Sequence, residues 1–275
     1  MDFRKIQGIF LIAFLGINFF LLTIFMESRS EENYNGNFDE KDAVETRLSR
    51  DKIVYEDSFS KESPQGYFIA AEETIFPKVL SRTADQDTTL NQKVVSFTDD
   101  YLINTETLAE DVKGFLTDPA TLEVAGEYQL LEKASNLDGE APYLIAGQAY
   151  EGLPFFDDTA KMQISMHNVQ GDVFSIQQAS YTHLDKIENL REKQDLISES
   201  DAISTLYYNS KIPQNAKINW LELAYGRILK VREKNVYVPI WFVSITAPDE
   251  KAHLEQVNAV NNTIITGNTI PTVEN

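Results

Sequence analysis

The sequence predicts an α+β protein: an N-terminal transmembrane helix, then a mixed α/β ectodomain of antiparallel sheets with helices packed on one face. Three observations predict it. Residues 6–26 form an uncharged run of 21 residues. The second half of the chain reads strand, strand, helix and then three strands, an order that fits antiparallel sheets better than alternating βαβ units. Of the 275 residues, 43% are hydrophobic and 11% aromatic, which is enough to bury a core and excludes a wholly disordered chain.

The run at 6–26 comes first. As a helix rising about 1.5 Å per residue it is roughly 31 Å long, close to the hydrocarbon thickness of a bilayer. Arg4 and Lys5 precede it, whereas Glu27, Glu31 and Glu32 follow with only Arg29 opposing them. The positive-inside bias therefore places residues 1–5 in the cytoplasm and everything after Met26 outside. A cleaved leader has an apolar region of about 7–15 residues and small residues at its cut site. Here the run is longer and Phe25-Met26-Glu27-Ser28 offers no such site, so the segment is read as an uncleaved signal anchor of a single-pass cell-membrane protein. Gln7 and Asn18 lie 11 positions apart, close to three turns, and share a face with Leu11 and Phe14. An amide in hydrocarbon gains about 0.6 to 2 kcal/mol from a partner on a neighbouring helix. These four residues are the candidate contacts with other membrane helices; the alternative has Gln7 at headgroup level and only Asn18 immersed.

Residues 27–38 are polar and read as a tether. The remainder is expected to form two extracellular subdomains, 39–120 and 121–275, divided near 117–126 by Thr117-Asp118-Pro119. Residues 39–50 carry a helical stripe of Ala43, Val44 and Leu48 behind a candidate Asp39 cap. Strands are expected at 53–55, 67–71 and 94–97, and a helix at 105–115. In the second half 128–131 and 142–150 read as strands. Residues 161–166 alternate polar and apolar with period 2, and a turn at 169–173 sends 174–181 back as a hairpin. In the charged stretch 183–194, Leu184, Ile187 and Leu190 keep helical spacing. Ser198 with Asp201 forms a capping-box pattern for a helix whose Ala202, Ile203, Leu206 and Tyr207 share a face. Strands follow at 218–223, 236–245 and 254–260. The middle one is apolar on both parities and should be central and covered on both faces, with Pro239 at a bulge or at the start of the strand.

Composition narrows the chemistry. The net charge is −19, and 42 acids against 22 bases remain once Asp2, Arg4 and Lys5 are set aside. Such a chain is repelled by nucleic acid and by anionic lipid. With no cysteine there is no disulfide, thiolate metal site or cysteine nucleophile. His167, His183 and His253 fit no zinc spacing. The pairs Asp99-Asp100, Asp157-Asp158 and Asp249-Glu250 have the residue type of a glycosidase site, but such enzymes set two carboxylates about 5–9.5 Å apart across a cleft, and neighbours in sequence rarely face each other that way. Asn136 to Glu140 lacks the alternating acids of a calcium loop and reads as a surface turn. No catalytic residue, cofactor or metal is expected.

Four stretches carry a family resemblance. Glu192-Lys193-Gln194-Asp195-Leu196-Ile197 followed by Ala202-Ile203-Ser204-Thr205-Leu206-Tyr207 matches E-x-Q … A-I-x-x-L-Y. Lys217-Ile218 with Glu222-Leu223-Ala224-Tyr225 is similar to K-I … E-L-G-Y, with Ala224 in place of the usual Gly. Val238-Pro239-Ile240-Trp241-Phe242-Val243 matches P-x-W-x-V, and the basic N-terminus with its single apolar span matches the opening. The sequence thus resembles the YycI (WalI) family, membrane-anchored accessory proteins of the WalK–WalR (YycG–YycF) two-component system that controls cell-wall metabolism. The resemblance implies a non-enzymatic regulator that acts with a YycH-like protein and contacts the sensor kinase WalK through membrane helices. Ala202, Ile203, Leu206, Tyr207, Tyr225, Pro239, Trp241 and Val243 are read as fold determinants, with Trp241, Tyr207, Tyr181 and Tyr225 in the core. A wall-binding or hydrolytic protein is the alternative, and a solute-binding module would need a deep apolar pocket.

Overall fold

The computed structural model describes residues 14–18, 22, 44–76, 91–266, 272 and 273. The chain divides into two compact units, Met1–Arg47 and Leu48–Asn275. In the first, residues 14–18 and 22 are helical and exposed. Gln7, Leu11, the tether and the rest of the expected span lie outside the described residues, among which no helix is long and apolar enough to cross a membrane. Helix α1 (Val44–Arg50) falls within the expected 39–50, and its predicted start lies outside the described residues.

The second unit runs β1 (Gln65–Gly66), β2 (Ile69–Glu73), β3 (Lys93–Asn104), α2 (Leu108–Thr117), β4 (Tyr128–Leu130), β5 (Tyr143–Tyr150), β6 (Leu153–Pro154), β7 (Lys161–Gln170) and β8 (Val173–Tyr181). It continues with β9 (Leu184–Asn189), β10 (Gln194–Asp195), α3 (Glu199–Tyr208), β11 (Lys217–Val231), β12 (Lys234–Thr246), β13 (His253–Asn258), β14 (Thr263–Ile264) and β15 (Thr272–Val273). A six-stranded sheet has the order β3-β8-β7-β5-β4, with β6 on β5. A seven-stranded sheet has the order β14-β13-β12-β11-β15, and β2 joins β12 to β9. Among the described strands every pairing is antiparallel except β11 with β15. This is the expected α+β class, built mostly of antiparallel sheets with few helices.

The local signals explain most elements. On β7, Met162, Ile164 and Met166 are buried, and with Leu108, Val112, Phe115 and Leu116 of α2 they form one core. The β7–β8 hairpin turns at Gly171, whose φ of +59° is costly for side-chain-bearing residues. At α3 the Ser198 Oγ accepts from the Asp201 N–H while the Asp201 carboxylate accepts from the Ser198 N–H, so the capping box forms as the sequence indicates. On β12, Val238, Ile240 and Phe242 pack on one face with Ala224, and Tyr237 packs on the other with Tyr225 and Phe155. It is the central strand, paired with β11 along its length and with β2 and then β13 on its other edge.

Across the expected divide near 117–126, β3 pairs with β8 and α2 shares a core with Tyr128 and Leu144. Three expectations are corrected. Residues 183–194 form strands β9 and β10 rather than a helix. Lys186 and Ile187 together oppose Ala71, with Lys186 at φ +51°, so a bulge puts Leu184 and Ile187 on one face three residues apart and mimics helical spacing. Pro239 marks neither a bulge nor a strand start. It pairs in register with Tyr225, and the register shifts fall at Ile218/Trp220 and Arg227/Leu229. Its carbonyl accepts from the Ala259 N–H on the edge where β12 passes from β2 to β13, so the N–H that proline lacks would point into a seam. Residues 53–55 give only a single bridge, Val54 to Lys217.

Candidate functional site

Seven of the eight motif residues lie in the interior. Ala202, Ile203, Leu206, Tyr225, Pro239, Trp241 and Val243 are buried. Tyr207 departs from its expected place in the core. It is half-buried, and its hydroxyl donates to Asp51 Oδ2 at 2.7 Å. Burial pushes the Tyr181 and Tyr225 hydroxyls up to about 12, so both stay neutral and serve packing rather than proton transfer. In the first unit Asn18 Nδ2 donates to the Phe14 carbonyl at 2.8 Å, joining two of the four residues proposed for membrane contacts.

The carboxylates of Asp157 and Asp158 turn to separate partners. Asp157 Oδ1 accepts from the backbone N–H and the hydroxyl of Thr159, while the exposed Asp158 bonds Lys161 at 2.9 Å. Asp249 and Glu250 are exposed beyond β12. At Asn136 to Glu140 the Asn136 side chain accepts from the Asp138 N–H and Gly139 has φ +90°, a surface turn. Among the described residues no group of three or more acids or histidines is arranged to hold a metal ion.

Two polar clusters sit where the sheets meet. His183 occupies the passage from β8 to β9; its Nε2 lies 2.8 Å from Glu127 Oε2 and its Nδ1 lies 2.8 Å from Thr74 Oγ1. Gln148, buried beside it, bonds both the N–H and the carbonyl of Leu184, so the two sheets are tied at this point.

The second cluster centres on Glu73 at the end of β2. Its Oε1 accepts from Asn235 at 2.9 Å and lies 3.4 Å from Lys230 Nζ; its Oε2 accepts from Asn91 at 2.9 Å. Burial alone would raise the Glu73 pKa. The Asn235 bond, the Lys230 charge and the Asn91 bond outweigh it and hold the carboxyl below its ordinary value. A carboxylate so depressed stabilises the fold at pH above its unfolded value, and that contribution is lost as the pH falls through the folded value. Glu73→Gln should therefore lower Tm at pH 7, and the gap from the parent should close on acidification below the usual carboxylate range. Thermal melts of both proteins across that range check it; a gap that stays constant with pH would refute the assignment.

Arg227 of β11 stands beside this cluster, 3.9 Å from Glu73 Oε1 through Nη1 and 3.6 Å from Asp157 Oδ2 through Nε. It lines two adjoining cavities of about 560 and 380 Å³, both of which also reach Asp158 and Lys161. Sequence reasoning missed Arg227, Glu73 and Asn235, since no motif surrounds them.

The pattern of the YycI protein family matches residues 31–260, which is most of the chain. The chain belongs to the YycI family. No curated protein matches the sequence. Among solved structures, an uncharacterized protein from Eubacterium rectale ATCC 33656 is similar at 10% identity and a TM-score of 0.47, covering 78% of this chain and 91% of that one. Membership in the YycI family implies a regulatory accessory role in, and association with, the WalK–WalR two-component system. Within the matched span lie the motif residues of α3, β11 and β12 and both polar clusters.

Proposed function

We propose that the protein is a single-pass, membrane-anchored accessory regulator of the sensor kinase WalK, acting with a YycH-like partner and performing no catalysis itself. Residues 1–5 are then cytoplasmic, 6–26 span the membrane and the bulk of the chain lies outside. The observation that carries this reading is the family match over residues 31–260; the uncharged run preceded by Arg4 and Lys5 supports the anchor.

Regulation of this kind is a population shift. The kinase has signalling states in equilibrium, and a partner that pairs with one about 1.4 kcal/mol better than with another changes their ratio tenfold. Equal affinity for both would change nothing. Asn18 is the polar group best placed to contribute. Its bond to the Phe14 carbonyl uses one amide N–H and leaves the second N–H and Oδ1 for a neighbouring helix. Asn18→Leu should weaken membrane association by about 0.6 to 2 kcal/mol, roughly threefold to thirtyfold. A two-hybrid assay in membranes, run beside a version whose span is replaced by poly-Leu, measures this. Loss with poly-Leu and partial loss with Asn18→Leu is the expected result. Full association with the poly-Leu span would overturn the role of the membrane helix.

A further inference from the structure

The Arg227 side chain is mostly buried, 20% exposed, and its Nε is shielded from solvent and makes no hydrogen bond among the described residues. Its ion-pair distances of 3.6 and 3.9 Å lie beyond hydrogen-bonding reach, and the guanidinium makes no hydrogen bond to any described residue. Of the neighbouring acids, Glu73 is committed to Asn235, Asn91 and Lys230, and Asp157 Oδ1 to Thr159, while Asp157 Oδ2 faces the guanidinium without coming within hydrogen-bond reach. A guanidinium presents five N–H donors, and leaving charged donors unpaired in a mostly buried position is costly. Two carboxylates thus balance the charge of Arg227 at a distance, while its N–H donors make no hydrogen bond among the described residues.

The surroundings define what would fit. On one side of Arg227 the 560 Å³ cavity is polar, lined by Lys161, Lys230, Gln92, Gln163 and Ser180 among others. On the other, the 380 Å³ cavity has an apolar floor of Phe156, Phe242, Leu254 and Ile265. Both are of the size of small-molecule sites. Three cations line the cleft against Glu73, Asp157 and Asp158, so the local charge is balanced and favours a singly charged head over a dianion.

We propose that this cleft binds a small carboxylate bearing an apolar group. The carboxylate sits on Arg227, whose planar fork matches it, with Lys161 and Lys230 beside it. The apolar group lies over Phe156 and Phe242. This site does not depend on how the protein contacts the membrane or the kinase.

Isothermal titration of the full chain in lipid nanodiscs tests it, with 3-phenylpropionate as the probe and its neutral amide and inorganic phosphate as comparisons. Saturable binding of the carboxylate is expected, with a Kd of about 1 mM or tighter for a fragment of this size. Arg227→Gln should weaken it at least about tenfold. Lys161→Gln, at a more exposed position that folding tolerates better, should weaken it by a smaller factor. The amide and phosphate should bind far less well. Equal binding of the amide, equal binding of phosphate, unchanged affinity in a folded Arg227→Gln, or no saturable heat at all would each overturn the proposal. Should Arg227→Gln fail to fold, the amide and phosphate comparisons and Lys161→Gln still decide it.

Discussion

Gly147→Ala should destabilise the Leu48–Asn275 unit by about 3 kcal/mol or more in urea unfolding, at or above the upper end of ordinary overpacking. A Cβ on Gly147 of β5 would fall 2.0 Å from the Phe155 carbonyl oxygen. The obstacle is backbone, so no rotamer change relieves it. Nor is that backbone free to retreat. The Phe155 N–H donates to the Gln148 carbonyl at 2.7 Å, Phe155 bridges to Tyr225 of β11, and the Phe156 N–H donates to the Tyr225 carbonyl at 2.9 Å. The Phe155 ring is buried against Tyr225 and Tyr237, each at 5.1 Å between centroids. Moving Phe155 thus strains the connection between the six-stranded and seven-stranded sheets. Gly114→Ala is the matched comparison. Gly114 lies exposed in α2, where an added Cβ meets nothing within 4 Å, and the change should stabilise by up to about 1 kcal/mol through helix propensity. An unchanged unfolding midpoint in Gly147→Ala would mean that the Phe155 segment is not held as described.

What the sequence revealed was local. The alternation along 161–166, the Ser198–Asp201 capping box and the two-sided apolar pattern of 236–245 each depend on residues close in the chain, and each matches the structure. Misreadings arose where a long-range pairing changed the local period. The bulge at Lys186 and Ile187 exists because β9 must track β2, which lies far earlier in the sequence, and nothing within 183–194 reports it. The break at 117–119 ends α2, and nothing in it reports that β3 finds its partner in β8 across that break. The same limit hid the cleft. Arg227 is an unremarkable arginine in a strand until Glu73 of β2 and Asp157 of the β6–β7 connection are folded against it. Its meaning lies in bonds it does not make, which no motif can record. The resemblance to the YycI family, by contrast, rested on stretches close in the chain, among them those of α3 and of β11 and β12, whose spacing is legible without the fold.

That distinction can be tested at Trp241. If the P-x-W-x-V stretch determines the fold, Trp241→Ala should lower stability by about 3–5 kcal/mol, the range for deleting a large buried aromatic. Trp241 is 6% exposed on β12, opposite Leu223 of β11 and Val257 of β13. Its Nε1–H donates to the Ile197 carbonyl at 2.9 Å, tying the sheet to the segment that leads into α3. Truncation opens a cavity and leaves that carbonyl unpaired, and the two costs combine. Trp241→Phe keeps much of the ring and loses the bond, so its cost should be smaller. Measured against typical domain stabilities of about 5–15 kcal/mol, the alanine variant should fall in abundance as well as in unfolding midpoint. A contact residue would behave in the opposite way, leaving the midpoint unchanged while association with partners is lost. Chemical unfolding of the full chain, read beside its level in cells, separates the two: a Trp241→Ala protein as stable as its parent would show that this aromatic serves a partner instead of the sheet.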